Sequence, residues 1–300
     1  MRLLSIGRLL LLSAILITAF ASAPRQASAE PYVQGPTFCS ECHRDENKNW
    51  EETKHFKSYR TAHKAEDAKK ISKAVSGKKS MKRNKKCSVC HYSKEKKKPA
   101  DKPKIKFGPS CEGCHGASSE WETIHADYGG KNVRWEDETP AHKAKRIADS
   151  TAAGLIWARM TYDIAVNCMK CHGLARPEIS GKAFGKMLKA GHPINQSFDI
   201  VMFSQGKMRH WIKERSPARL AYLVVAGQAA KLVSATEAAA KTEDAKYKEA
   251  QVKRVADAKA VLRAVPQAAA LIKSPSDANA RKMMQAIGQK DLSGLVGKLI

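Results

Sequence analysis

Apolar and polar positions divide the chain into three stretches of different character. An apolar run from Leu9 to Phe20 follows Arg2 and Arg8 and gives way to small residues. This order of basic, apolar and small segments is typical of a secretory signal peptide, which we predict for residues 1–29. The alternative is an uncleaved membrane anchor, but the run is short for a membrane span.

The last stretch, residues 216–300, is rich in alanine and lysine and poor in aromatic residues. Two helices are predicted here, one from Pro217 to about Lys241 and one from about Thr242 to Val265. Helices joined so closely pack against each other or against the rest of the protein. We therefore expect a C-terminal helical hairpin or small bundle, whose function the sequence does not show.

The second of these helices has apolar residues at the spacings of one helical face. This predicted buried stripe comprises Val252, Val255, Ala258, Leu262 and Val265. A third helix is predicted to begin at Ser274 and Pro275, since a serine cap followed by proline is typical of a first turn.

The middle stretch, residues 30–215, combines short helical segments with prolines. One charged segment places His55, Tyr59 and His63 four residues apart on one helical face. Another helix-like segment runs from Ala152 to Val166. We predict a mainly α fold with much irregular structure, in which this stretch forms one domain and the helical region follows it.

All eight cysteines lie in the middle stretch, in four copies of Cys-x-x-Cys-His. The copies are Cys39, Cys42 and His43; Cys87, Cys90 and His91; Cys111, Cys114 and His115; and Cys168, Cys171 and His172. This is the attachment signature of c-type haem, in which the thiols bind the porphyrin and the histidine binds the iron. We predict four covalently attached c-type haems with these histidines as proximal iron ligands.

Two other uses of paired cysteines fit less well. A disulfide framework does not explain a histidine after every second cysteine, and a zinc site with free thiolates suits an exported chain poorly. Aromatic residues make up only 6% of the chain, which is few for a core of this size. Haems supply the missing apolar surface, because each porphyrin is a large flat hydrophobe.

Six of the ten histidines remain as candidate distal ligands. They are His55, His63, His125, His142, His192 and His210. The segment after the first motif favours His55 over His63, and His192 precedes a proline that keeps the backbone extended. His210 lies in a weaker group with Met208 and Trp211. Two axial ligands make a haem an electron carrier, whereas a vacant position allows a small ligand to bind.

The formal charge of +25 predicts an acidic partner. Residues 78–104 concentrate it, with twelve basic residues against two acidic ones around the second motif. This block is either a solvated loop or a docking surface for an acidic redox protein. Nucleic acid is excluded by the predicted export to the periplasm, while an anionic membrane surface remains an alternative partner.

The chain resembles the cytochrome c-554 family of tetrahaem electron carriers, linked to hydroxylamine oxidation, over roughly Thr37 to His192. Three features carry the resemblance. Trp50, Thr53 and His55 follow the first motif, the motif at Cys87 is followed closely by that at Cys111, and His125 lies ten residues after His115.

The resemblance implies distal ligands from segments remote from the haem they serve. The implied pairs are His43 with His125, His172 with His55, and His115 with His192, for which His210 is the alternative. The haem of His91 is then five-coordinate, unless His63 or His142 fills its sixth position. The family also implies haems in closely stacked pairs.

Two functions follow from these features. The first is a periplasmic electron-transfer protein with a basic docking surface. The second is a small reductase of nitric oxide, nitrite or hydroxylamine that uses an open haem at His91. The helical region could in either case attach the protein to a larger complex. The sequence leaves the oligomeric state, the haem potentials and the redox partners open.

Overall fold

The structure, a computed structural model, describes residues 30–194, 200–201, 216–288 and 290–295. Most of these residues lie in helices joined by irregular segments, so the prediction of a mainly α fold with much irregular structure is confirmed. The predicted signal peptide at 1–29 and the candidate ligands Met208 and His210 lie outside the described residues.

The middle stretch contains ten helices and a two-stranded ribbon within its described part. They are α1 Pro36–Cys39, α2 Arg44–Glu51, α3 Lys54–Thr61, α4 Ala68–Ser76, α5 Lys85–His91, β1 Ser93–Glu95, β2 Lys104–Phe107, α6 Glu112–His115, α7 Glu122–His125, α8 Pro140–Ala152, α9 Thr161–His172 and α10 Gly181–Lys189. The strands pair antiparallel, with Ser93 opposite Phe107 and Glu95 opposite Lys104.

The described part of the C-terminal stretch is helical. Its α-helices are α11 Pro217–Ala240, α12 Ala245–Leu262, α13 Ala269–Lys273 and α14 Asp277–Ile287. Single turns of 3₁₀ helix occur at Pro266–Ala268 and Ser293–Leu295. None of the helices in the described residues is long and apolar enough to cross a membrane.

Helix starts follow local capping chemistry. Ser216 precedes Pro217 at the start of α11, and its hydroxyl accepts a hydrogen bond from the Arg219 amide at 3.2 Å. Asp244 caps α12 by accepting from the Tyr247 amide at 3.1 Å. Such residues satisfy amides that have no partner within the helix, so these boundaries are readable from the sequence.

Three predicted boundaries differ in the structure. The segment expected to be helical from Ala152 is interrupted, because α8 ends at Ala152 and α9 begins only at Thr161. His63 lies in a single 3₁₀ turn, Ala62–Lys64, beyond the end of α3. The last long helix is capped by Ser276, two residues after the predicted cap.

α11 is the central helix of the C-terminal stretch. Its apolar residues are buried around most of its circumference, as expected of a helix covered on several sides. They form one core with Ala165 and Met169 of α9, Leu262 of α12 and Ile287 of α14. The helix that carries the fourth Cys-x-x-Cys-His motif therefore shares its core with the C-terminal helices.

The buried face of α12 is only partly the predicted stripe. Ala258, Leu262 and the following Val265 are buried, but Val252 is 52% exposed. Gln251 and Arg254 are buried in its place. The difference arises because these two polar side chains bond to the end of α9, which a hydrophobic period cannot predict.

Candidate functional site

Each Cys-x-x-Cys-His motif forms about one helical turn. The His43 amide donates to the Cys39 carbonyl at 3.0 Å, and the His115 amide donates to the Cys111 carbonyl at 3.0 Å. The second motif lies in α5, and the fourth forms the C-terminal end of α9. Residues three and four apart on a helix share a face, so both thiols and the imidazole of a motif are presented together.

Within the described residues, three of the motif histidines face a second histidine from a remote segment. The ring centroids of His43 and His125 lie 6.3 Å apart, and those of His55 and His172 lie 6.0 Å apart. The ring centroid of His91 lies 6.0 Å from that of a third partner, a histidine just after α10. That histidine is His192.

The separation of these rings matches two ligands on opposite sides of one metal ion. An imidazole nitrogen binds a metal at about 2.0 Å, so the two nitrogens lie about 4 Å apart and the ring centroids about 6 Å apart. Rings that only pack against each other approach more closely when their planes are parallel. The centroid separations are therefore those expected of two imidazoles on one iron, and the ring planes are near parallel in the pair of His43 and His125.

Burial favours the neutral form, which binds metals, in five of the paired imidazoles. It lowers the pKa of His55 to about 4, with a further contribution from His172. It lowers the pKa of His91 to about 4 as well, assisted by His192 and His172. The pKa values of His125, His172 and His192 are also lowered, in each case mainly by burial.

Backbone carbonyls orient several of the imidazole rings, both in the motifs and in their partners. His115 Nδ1 lies 2.8 Å from the Ile156 carbonyl, and His192 Nδ1 lies 2.7 Å from the Pro193 carbonyl. His125 Nδ1 contacts the Glu122 carbonyl. A proton on Nδ1 that is donated to a carbonyl leaves the Nε2 lone pair free for a metal.

A cavity of about 900 Å³ joins two of the pairs. Its lining includes His55, His172, His91 and His192, together with the cysteines of the second and fourth motifs. The volume is in the range of cofactor pockets. Neither here nor in the rest of the described chain do three His, Cys, Asp or Glu side chains gather as a metal site. Two protein ligands on one ion require a cofactor that supplies the others, as a porphyrin does.

Three polar side chains fasten the motifs to one another. Glu112, inside the third motif, accepts from the Gln34 and Gly35 amides just before the first motif, at 3.0 and 2.8 Å. Asn167 Nδ2 donates to the Cys114 carbonyl at 3.1 Å, which links the third motif to α9. Arg176 Nη2 donates to the Val89 carbonyl at 3.1 Å.

The cysteine thiols reflect the same arrangement. Cys39 contacts Cys111, and Cys90 contacts Cys171, so these thiols join the first motif to the third and the second to the fourth. The contact with Cys111 raises the pKa of Cys39. Burial raises the pKa of Cys114 to about 11. Cys39 and Cys114 are therefore neutral thiols, and none of the eight cysteines forms a disulfide.

The three histidines predicted as distal ligands each lie opposite a motif histidine, with one change of partner. His125 lies opposite His43, and His55 lies opposite His172, as the family resemblance implies. The same resemblance assigned His192 to His115, but the structure brings it to His91 instead. Because α10 packs on α4, which precedes the second motif, the segment after α10 ends beside that motif.

Two other candidates lie away from the histidine pairs. His142 Nδ1 lies 2.8 Å from Glu138 Oε1. His63 lies beside Lys82 and does not belong to the lining of the cavity that contains His91. The sixth candidate, His210, lies outside the described residues.

Sequence reasoning missed a buried ion pair behind His125. Arg146 donates to both carboxylate oxygens of Glu138, and its Nη1 donates to the His125 carbonyl at 2.9 Å. The Glu138 side chain is 1% exposed. The hydrogen bond from Arg146 lowers the pKa of Glu138 to about 2. The two residues are eight apart in the sequence, and no motif indicates that they meet behind a ligand.

The motifs, the paired histidines and the apolar cavity define the class of c-type cytochromes, electron carriers with covalently attached haem. Residues 38–116 match the family model described as cytochrome c554 and c-prime, which confirms the resemblance predicted from the sequence. No curated protein and no solved structure matches the chain.

Proposed function

We propose that the protein is an exported tetrahaem c-type cytochrome that carries electrons between two redox partners in the periplasm. The observation that carries this proposal is the set of three histidine pairs at 6.0–6.3 Å. Haem bound between such ligands supplies a one-electron redox centre. The residues present fit it, since each motif offers two thiols and an imidazole on one face.

Four haems are proposed because all four motifs adopt the same helical turn. For the haem of His115 we propose His210 as the distal ligand. Of the two histidines expected downstream of the last motif, His192 lies beside His91. His210 is the other of these two histidines. His142, which lies before the last motif, bonds to Glu138.

The neighbouring motifs form a row in the order first, third, fourth, second. Glu112 joins the first to the third, Asn167 the third to the fourth, and Arg176 the fourth to the second. We propose that electrons would pass between haems held at adjoining motifs along this row. The first and second motifs are therefore the two ends at which we propose that partners dock.

A reductase that acts at an open haem of His91 is disfavoured by His192. A nitrogen oxide would need the position that the His192 imidazole occupies opposite His91. Two strong axial ligands suit a carrier rather than an enzyme. The proposal therefore excludes substrate binding at this motif unless His192 moves away.

Electron paramagnetic resonance of the oxidised protein, with and without nitric oxide, tests this assignment. We expect low-spin ferric signals and no response to nitric oxide in the native protein. His192→Ala should produce one high-spin haem that binds nitric oxide, because it removes the ligand opposite His91. His63→Ala is the matched control and should leave the spectrum unchanged.

Two results would contradict the proposal. A nitric-oxide-sensitive haem in the native protein that His192→Ala does not alter would show that His192 is not a ligand. Catalytic turnover of nitrite or hydroxylamine by the native protein would favour the reductase.

A further inference from the structure

Helix α12 buries two polar side chains where its sequence pattern predicts apolar ones. Gln251 is 0% exposed and Arg254 is 1% exposed. Burying a charged side chain is strongly unfavourable unless its surroundings compensate the charge. The position of Arg254 therefore requires a reason beyond packing.

Both side chains bond to the end of the fourth motif. Gly173, the residue after His172, accepts from Gln251 Nε2 at 2.9 Å and from Arg254 Nη1 at 3.3 Å. Arg254 Nη2 lies 3.1 Å from the sulfur of Met169, which stands between the two cysteines of this motif. Helix α12 thus places a guanidinium group directly against the motif.

In the described residues no carboxylate forms an ion pair or hydrogen bond with Arg254, and Asp257 only attracts its charge from a greater distance. Across the part of the chain that the structure describes, its hydrogen-bond acceptors are the Gly173 carbonyl, the Met169 sulfur and the Gln251 side chain. Asp257, the nearest acid in the sequence, lies 3.0 Å from Lys253. Burial lowers the pKa of Arg254 to about 10, so the group remains a cation at neutral pH.

Helix capping alone does not explain a cation here. A positive group near the C-terminus of α9 is favourable, and carbonyls there need donors. Gln251 already donates to the Gly173 carbonyl, and a second neutral amide would complete the cap without burying a charge. The contact is close, since a Cβ atom at Gly173 would lie 2.5 Å from Arg254 Nη2.

We propose that the positive charge of Arg254 raises the reduction potential of the haem held by Cys168, Cys171 and His172. This inference rests on the proposed function, because it requires haem at the fourth motif. Reduction adds one negative charge, and a nearby cation in a medium of low dielectric constant favours the reduced form. The C-terminal helical region thereby acquires a role in tuning a redox centre.

Spectroscopic redox titration of the intact protein tests the proposal. The reduction step that belongs to this haem is identified first with His55→Met. This variant replaces the ligand opposite His172 and should raise the reduction potential of that haem. Arg254→Met should then shift the reduction equilibrium of that step at least tenfold towards the oxidised form, about 59 mV for one electron. Arg254→Lys keeps the charge and should keep the native potential.

A second neutralising variant covers a failure of Arg254→Met to fold. Gln251→Glu keeps the shape of a side chain whose Oε1 lies 2.6 Å from Arg254 Nη1, and it places a carboxylate on the cation. It should lower the same potential in the same direction. Arg281→Gln is the control, because Arg281 pairs with Asp163 near the opposite end of α9.

Unchanged potentials in a folded neutralising variant with four bound haems would overturn the role of Arg254. Equal shifts in Arg254→Lys and Arg254→Met would do so as well, since a loss of packing rather than of charge would then be responsible. Haem content is measured separately from the absorbance of the denatured pyridine complex. Absence of haem from the fourth motif of the native protein would instead contradict the proposed function.

Discussion

Gly108 allows the β-ribbon to approach the helix turn that carries His55. A Cβ atom at this position would lie 1.9 Å from the His55 carbonyl oxygen and 2.5 Å from the Ser58 hydroxyl. The carbonyl is backbone and cannot swing away, so any side chain at Gly108 must displace the start of α3. Close approach of this kind requires glycine.

Gly108→Ala should therefore disturb the pair of His55 and His172. We expect a fraction of one haem to become high-spin, measured by electron paramagnetic resonance, together with a loss of stability of about 1–3 kcal/mol from overpacking. Gly294→Ala is the control, because a Cβ atom there would meet no atom within 4 Å. A native spectrum in Gly108→Ala would mean that α3 does not hold the ligand.

The Glu138 carboxylate supports His125 through Arg146 and makes stability depend on pH. Its pKa in the folded protein is about 2, lowered first by the Arg146 hydrogen bond, whereas an unfolded glutamate titrates at about 4.3. The stabilisation is present above the unfolded value and is lost as the pH falls towards 2.

Glu138→Gln should reduce the loss of stability on acidification. We expect the free energy of unfolding, measured with urea at pH 6 and pH 3.5, to fall less in this variant than in the native protein. Glu136→Gln removes an exposed carboxylate paired with Arg134 and should leave the difference unchanged. Equal pH dependence in native protein and Glu138→Gln would contradict this account.

At the scale of elements, α11 is the main support of the fourth motif. It packs against α9, α12 and α14, so its apolar residues face neighbours in several directions. Short helices such as α6 and α7 are only a turn long and gain little stability from their own hydrogen bonds. They are held by tertiary contacts, which include Glu112 and Arg146.

Leu232→Ala should destabilise the protein by about 2–5 kcal/mol, because Leu232 in α11 is fully buried and its truncation leaves a cavity. Leu220→Ala, at a partly exposed position of the same helix, should cost less. Denaturant unfolding measures both. Equal losses would show that the centre of α11 is not the core of this region.

At the scale of the whole molecule, positive charge around the second motif is the basis of our proposal that an acidic partner docks there. Several of the basic residues in 78–104 are exposed, including Lys97 and Lys98. The two acids of this block are already engaged, since Glu95 pairs with Lys106 at 3.5 Å and Asp101 accepts from two backbone amides. The block therefore presents positive charge to solvent.

Electron transfer with an anionic one-electron reagent should be fast and should slow as salt is added, because charges are screened over about 10 Å at 0.1 M. Replacing Lys97 and Lys98 by glutamate should slow it further. The same change of charge at Lys246 and Lys248, which are exposed on α12, should have a smaller effect. Equal effects of the two pairs, measured by stopped flow, would mean that total charge rather than this block governs the reaction.

The sequence by itself determined the parts whose interactions are local. Two thiols and an imidazole share a face wherever Cys-x-x-Cys-His forms a helical turn, and Ser216 with Pro217 begins a helix through bonds within four residues. The family resemblance rested on such short segments, which include Trp50 and His55.

Only the tertiary structure decided which remote groups meet. His192 lies beside His91 because α10 packs on α4, and Arg254 reaches Gly173 because α12 packs on α11, which in turn packs on α9. Neither contact can be predicted from the sequence. The partners are separated by many residues, and the spacing of apolar residues in α12 does not predict that a cation is buried. The spacing within each motif specifies which groups the motif presents. The packing of distant helices decides which second histidine and which charged side chain lie beside it.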